Sequence, residues 1–190
     1  MCSSDLLLRL GRKKHVDFDS TTVHANHHAG YYPGARRLSL KIVFELPGGR
    51  LLGAQAVGPE GVDKRIDVAA TAISLRGTVE DLAQAELCYA PPFGSAKDPI
   101  NLAGFQASNL LRTLTRTVDA VELRASAAEG RWTIVDVRTP AEFAAGAVPG
   151  AVNIPLEALR SRLEEIPRDR PTATYCMVGM RGYIAERILR

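Results

Sequence analysis

Tyr175-Cys176-Met177-Val178-Gly179-Met180-Arg181-Gly182 sets the tightest limit on what this 190-residue chain can fold into. Before it, Thr172-Ala173-Thr174-Tyr175 reads as a short buried strand. After it, Tyr183-Ile184-Ala185-Glu186-Arg187-Ile188-Leu189 carries apolar residues at helical spacing. A cysteine therefore ends a strand and opens a helix, and Gly179 and Gly182 let successive backbone N–H groups turn toward its sulfur. Those amides, the positive end of the following helix and the Arg181 guanidinium all favour a sulfur anion. Cys176 is expected to be a nucleophile. The alternative is a small buried apolar residue, a common fate of free cysteine.

The rest of the chain divides near residue 115. Leu40-Lys41-Ile42-Val43-Phe44 and Leu51-Leu52-Gly53-Ala54-Gln55-Ala56-Val57 flank Pro47-Gly48-Gly49, which predicts a hairpin. From Gly61 to Arg76, Val62, Ile66, Ala69, Ala70 and Ile73 recur at helical spacing, and Gly77 is expected as the C-cap. Thr78 is expected to cap a second helix reaching Leu87, with Asp81 as its capping-box partner. Asp98-Pro99 opens a third helix to about Arg112, proline taking the first-turn position where its missing N–H costs nothing. Residues 113–131 read as a linker and irregular start of the next domain. Beyond that, strand and helix patterns alternate, and Trp132 to Val137 is apolar enough to be buried on both faces. The expectation is an α+β layer, an antiparallel sheet covered on one side by helices, followed by an α/β domain with a parallel sheet. In that arrangement the cysteine loop lies at the carboxyl end of a strand, where ligands sit in open α/β sheets.

Composition narrows the function classes. Basic residues exceed acidic ones by three, which gives no case for a nucleic-acid partner from charge. No run approaches the ~20 apolar residues of a membrane span, and no signal-peptide pattern opens the sequence, so a cytoplasmic setting is expected. Cys2, Cys88 and Cys176 are odd in number, widely spaced and without a Cys-x-x-Cys pair, which suits free thiols in a reducing compartment.

Upstream of the cysteine, Trp132-Thr133-Ile134-Val135-Asp136-Val137-Arg138-Thr139-Pro140-Ala141-Glu142-Phe143 is followed by Gly146-Ala147-Val148-Pro149-Gly150-Ala151-Val152-Asn153-Ile154-Pro155. With the Cys-x-x-Gly-x-Arg loop, these segments resemble a rhodanese domain, which has the same motifs in the same order. The resemblance implies that Cys176 carries a persulfide sulfur cradled by the loop Met177, Val178, Gly179, Met180, Arg181 and Gly182. Ala147 stands where the family usually has histidine. In the first half, His28-Ala29-Gly30-Tyr31-Tyr32-Pro33-Gly34-Ala35, Gly61-Val62-Asp63-Lys64-Arg65-Ile66-Asp67 and Tyr89-Ala90-Pro91-Pro92-Phe93-Gly94-Ser95-Ala96-Lys97-Asp98-Pro99-Ile100-Asn101 resemble the dimerisation domain of coenzyme A disulfide reductases. Those belong to the pyridine nucleotide-disulfide oxidoreductases, and one branch ends in a rhodanese domain. The two resemblances imply a dimerisation domain over 1–112 and a rhodanese domain over 116–190.

The second resemblance implies a parent enzyme using FAD and NAD(P)H on coenzyme A disulfide, persulfide or polysulfide, as a homodimer through the first domain. Tyr31 and Tyr89 are implied to sit near the reacting sulfur, where a phenol with a pKa near ~10 can donate to a developing thiolate. Each also reads as an interfacial ring with a wet hydroxyl. Lys64, Arg65 and Lys97 are candidate partners for coenzyme A phosphates, or else a solvated face ion-paired to Asp63 and Asp67. His15, His24, His27 and His28, with Asp17 and Asp19, form a histidine-rich stretch read as a polar loop, and no metal is assigned. No Gly-x-Gly-x-x-Gly fingerprint occurs, so the chain is expected to bind neither FAD nor NAD(P)H itself and to be a fragment truncated at both ends. Three functions compete: a piece of a coenzyme A disulfide or persulfide reductase, a stand-alone sulfurtransferase, and a non-catalytic interaction module.

Overall fold

The computed structural model describes residues 16–190, so Cys2 and His15 lie outside the described residues. The chain divides after Leu114 into two compact units.

The first unit is an antiparallel sheet in the order β1 (Phe18–Asn26), β2 (Arg37–Glu45), β3 (Leu51–Val57). Alternation in β2 sends Leu38, Leu40, Ile42 and Phe44 to one face, all almost fully buried, each worth roughly 1.5–3 kcal/mol relative to exposure. Covering that face are α1 (Val62–Ser74), α2 (Val79–Gln84) and α3 (Pro99–Leu111), which add Ala69, Val79, Leu82, Ile100, Ala103 and Ala107 to the core. Gly104 lets α3 approach the backbone of α2, since a Cβ there would stand 2.4 Å from the Ala83 nitrogen.

Local signals place most of these boundaries. Thr78 and Asp81 form the expected capping box, and Asp98 caps α3 with Asn101 as its reciprocal partner. The second helix is shorter than expected and stops at Gln84, because Ala85 turns to extended backbone. The end of α1 also differs: Arg76, not Gly77, takes the left-handed position with φ 58°. Gly77 N–H then bonds Ala72 O at 2.7 Å and Arg76 N–H bonds Ile73 O at 3.0 Å, a Schellman closure. The histidine-bearing stretch before Tyr31, expected as a loop, is largely β1. Its polar residues obscure the alternation because it is an edge strand paired only to β2, with Val23 and Thr21 facing inward.

The second unit carries a parallel three-stranded sheet in the order β5 (Val152–Asn153), β4 (Thr133–Asp136), β6 (Thr172–Tyr175). Its helices are α4 (Ala120–Glu129), α5 (Pro140–Ala144) and α6 (Met180–Leu189), with 3-10 turns at Leu156–Ser161 and Leu163–Glu165. Val135, Val137, Ile154, Leu159 and Ala185 form its core. The segment 113–131, expected to be irregular, contains α4. Asp119 caps it by accepting from Glu122 N–H, Gly130 closes it at φ 63°, and Ser126 is its one buried residue. Caps and alanine propensity hold this helix rather than an apolar stripe, so periodicity gave no sign of it.

Candidate active site

Cys176 follows the last residue of β6, and α6 begins at Met180, so the intervening turn wraps the sulfur. Gly179 adopts φ 101°, a conformation side chains resist, and its N–H points at the Cys176 Sγ at 3.2 Å. Partial burial pushes the thiol up. The backbone N–H groups of Gly182, Val178, Gly179 and Arg181 outweigh that and bring it below its ordinary value. Gly182 is also needed for space, since a Cβ would press on Thr174 O at 3.3 Å, and Gly182 O accepts from the Thr174 hydroxyl at 2.8 Å.

Arg181 is expected to favour the sulfur anion, and it interacts with Cys176. Its main commitment is to Glu142, whose two oxygens accept from Nη1 at 2.9 Å and Nη2 at 2.7 Å. The same carboxylate closes the capping box of α5, accepting from Thr139 N–H at 2.9 Å. Together these donors, Arg181 foremost, hold Glu142 down to about 2. The cation beside the sulfur is thereby fixed in place by a residue 39 positions away.

The sulfur opens on a cleft of about 420 Å³ bordered by Arg138, Gly146, Ala147, Val148, Tyr175 and Met177. Asp136, fully buried at the end of β4, accepts from Arg138 Nη2 at 2.6 Å, and the same nitrogen donates to Gly146 O at 2.7 Å. The Tyr175 hydroxyl accepts from Val148 N–H at 3.1 Å. Burial pushes the Tyr175 phenol up, so it stays neutral. Burial opposes ionisation of Asp136 too, but Arg138 overrides it and keeps the carboxylate charged. The cleft wall at 146–148 thus hangs from Arg138, held by Asp136 at the end of β4, and from Tyr175 on β6. Ala147, at the position where the resembling family carries histidine, leaves that wall small and apolar. The sequence motifs contained Arg138, Glu142 and Tyr175 without giving them roles; the capping pattern Thr139-Pro140-Ala141-Glu142 is a signal that could have found one of them.

In the first unit, Tyr31 and Tyr89 are both exposed and their hydroxyls stand 3.1 Å apart. The hydrogen bond between the two hydroxyls is the main reason the Tyr31 phenol is raised. The three cations read as candidates for coenzyme A phosphates separate. Lys97 is exposed with its ammonium 5.8 Å from the Phe105 ring centre, and Lys64 is half-buried, donating to Phe93 O at 3.5 Å. Arg65 is 1% exposed and its guanidinium is taken by Asp98 and the carbonyls of His27 and Gly61. Buried, with four of its five donors engaged, it is not presented to a coenzyme A phosphate, and its carboxylate partner is Asp98 rather than Asp63 or Asp67.

The histidines do not converge. His24 bonds Ser39 Oγ at 2.7 Å on the exposed side of β1, whereas His27 and His28 are buried. His27 accepts from Arg36 N–H through Nδ1 at 3.0 Å and meets Glu60 through Nε2 at 3.1 Å. Among the described residues no group of three or more His, Cys, Asp or Glu side chains is placed to hold a metal, and no helix is long and apolar enough to cross a membrane. Cys88 and Cys176 are both free thiols.

Comparison with known proteins places both units. The pyridine nucleotide-disulphide oxidoreductase dimerisation domain matches residues 9–99, and the rhodanese-like domain matches residues 119–190. A coenzyme A disulfide reductase of Staphylococcus epidermidis is 47% identical over 94 residues, half of this chain and 22% of that protein. The crystal structure of reduced CoADR-RHD from Bacillus anthracis superposes with a TM-score of 0.90 at 44% identity, covering 95% of this chain and 32% of that one. A NAD-dependent persulfide reductase from A. fulgidus gives 0.86 at 35% identity over the same shares. The chain therefore spans between a fifth and a third of these three relatives. With a match in each unit and near-complete superposition on two proteins of this architecture, the chain belongs to the pyridine nucleotide-disulphide oxidoreductase dimerisation-domain family in its first unit and to the rhodanese-like family in its second.

Proposed function

We propose that this chain is the C-terminal part of a coenzyme A disulfide or persulfide reductase that uses FAD and NAD(P)H, with the second unit carrying sulfane sulfur as a persulfide on Cys176. The observation that carries this reading is the cysteine loop: a thiol below its ordinary pKa, ringed by four backbone amides and a fixed arginine. In the proposed step the Cys176 thiolate attacks the outer sulfur of a donor persulfide. The donor S–S bond breaks, the donor leaves as a thiolate, and Cys176 keeps the sulfane sulfur and its proton as a persulfide. The same amides that hold the thiolate can hold the deprotonated persulfide, since both are sulfur anions.

Tyr31 and Tyr89 are the proposed donors to a coenzyme A thiolate, and Lys64 and Lys97 are the remaining cations for its phosphates. The described residues do not fit FAD or NAD(P)H. The two glycine-bearing turns from strand to helix are filled by the chain itself, Gly61 against Arg65 and His27 and the loop around the Cys176 sulfur. We assign both cofactors to other parts of a longer parent, which acts as a homodimer through the first unit in a reducing, cytoplasmic setting. A stand-alone sulfurtransferase is the second reading, favoured by the separate core of the second unit.

The test is the intact mass of the chain after incubation with thiosulfate or coenzyme A persulfide, beside Cys176→Ser. One added sulfur atom, removable by cyanide and absent from the variant, is expected. No gain from folded protein with either donor refutes a persulfide role for Cys176 in this chain.

A further inference from the structure

Two loops bring Tyr31 and Tyr89 together, and both are tied at their ends to one buried node. The loop between β1 and β2 is closed by His27 N–H to Arg36 O at 2.9 Å and Arg36 N–H to His27 Nδ1 at 3.0 Å. Its His27 carbonyl accepts from Arg65 Nη2 at 2.6 Å. The loop between α2 and α3, which bears Tyr89, ends at Asp98. Asp98 takes a fork from Arg65, Nε to Oδ1 at 3.2 Å and Nη2 to Oδ2 at 2.6 Å, while its Oδ1 caps α3 at Ile100 N–H. Asn101 secures the other end of this loop by donating to Ala85 O at 2.9 Å, and it accepts from Asp98 N–H at 3.1 Å. Besides the tyrosine hydroxyls, a backbone bond joins the loops, Ala29 N–H to Gly94 O at 2.9 Å.

Arg65 sits on the core-facing side of α1, a position that periodicity reserves for an apolar residue. A buried ion pair is weak grounds for stability, because desolvation offsets most of the attraction. What a rigid guanidinium does well is fix several acceptors at once in one plane. Here those acceptors belong to the two tyrosine loops and to Gly61, the residue that precedes α1. Gly61 makes room for it, since a Cβ at 61 would lie 2.6 Å from Arg65 Nη1.

We propose that Arg65 and Asp98 are a positioning pair for the tyrosine dyad: their buried fork holds the His27 carbonyl and the α3 cap in register, and so sets the approach of the Tyr31 hydroxyl to that of Tyr89. The functional meaning rests on the reading of these tyrosines given above, but the geometry is testable without it.

The experiment follows the five tyrosines of the chain by NMR with a ring-carbon label through an alkaline titration, with Tyr31 assigned by loss of its signal in Tyr31→Phe. Tyr89→Phe supplies the reference for a broken dyad, in which the Tyr31 midpoint falls. Asp98→Asn keeps a good helix cap while removing the charge that anchors the fork. Arg65→Lys keeps the charge but, as a single ammonium, cannot reproduce the fork. Both variants are expected to bring the Tyr31 midpoint down to that of Tyr89→Phe, while sulfur loading on Cys176 in the other unit is unchanged. A folded Arg65→Lys or Asp98→Asn that melts lower yet keeps the parent Tyr31 midpoint would overturn the proposal and leave the pair a purely structural one. If Asp98→Asn does not fold, Arg65→Lys decides alone. Failure of the chain to load sulfur, or of its parent to reduce coenzyme A persulfide, would count against the proposed function and leave this result standing.

Discussion

Gly179→Ala isolates what the cysteine loop contributes. At φ 101° and ψ −32° the backbone lies where a Cβ is strained, yet no atom comes within 4 Å of the position that Cβ would take. The penalty is thus conformational rather than steric, about 1–3 kcal/mol if the loop keeps its shape, and a domain of this size loses roughly 4–8 °C in Tm per kcal/mol. The loop can relax by turning residue 179 to negative φ, which swings its N–H off the Cys176 Sγ. A hydrogen bond to a charged group is worth about 1.5–3 kcal/mol when well shielded. Partial exposure of Cys176 lowers that to about 1.4 kcal/mol, which is about one pKa unit. The thiol midpoint should therefore rise by about one unit, and alkylation well below the midpoint should slow about tenfold. The assay is the pH profile of iodoacetamide labelling at Cys176, read by mass so that Cys2 and Cys88 do not contribute. A folded variant with an unshifted midpoint would show that the Gly179 amide does not set the thiolate.

The remaining predictions concern the support of the two sites. Glu142, held down to about 2, adds stability that is fully present above its ordinary value of 4.5 and is lost as pH falls through the folded value; comparing urea melts at pH 5 and pH 2.5 should show a smaller acid loss in Glu142→Gln than in the parent, and an equal loss would remove Arg181 as its partner. Gly104→Ala should destabilise the first unit by about 1–3 kcal/mol through overpacking against Ala83, seen as a lower melting transition with sulfur loading at Cys176 unaffected. A neutral result there would mean that α2 and α3 can separate by a few tenths of an ångström without cost.

Much of the molecule is readable from short-range chemistry. Thr78 with Asp81, Asp98 with Asn101 and Thr139 with Glu142 each announce a helix start within four residues, and alternation along β2 assigns its buried face. The strand, glycine loop and helix around Cys176 follow from the same local rules, because the amides that stabilise its thiolate, four in all, lie within the next six residues. The misses are also local in origin. In β1 polar residues on an edge strand hide the alternation, in α4 there is no apolar stripe to detect, and at Arg76 a side chain takes a backbone conformation that a glycine was expected to fill.

What only the tertiary structure decides is which distant groups satisfy one another. Arg65 meets Asp98 across 33 positions, Arg181 meets Glu142 across 39, and Tyr31 meets Tyr89 across 58. Sequence offers each of these side chains many equivalent partners, and it reads Arg65 as a surface cation, either for a coenzyme A phosphate or on a solvated face, because charge usually stays in water. Folding removes that freedom. Once the apolar faces of α1 and the sheet are buried together, a guanidinium trapped between them must take the carboxylate and carbonyls within reach, since an unpaired charge there costs far more than the fork returns.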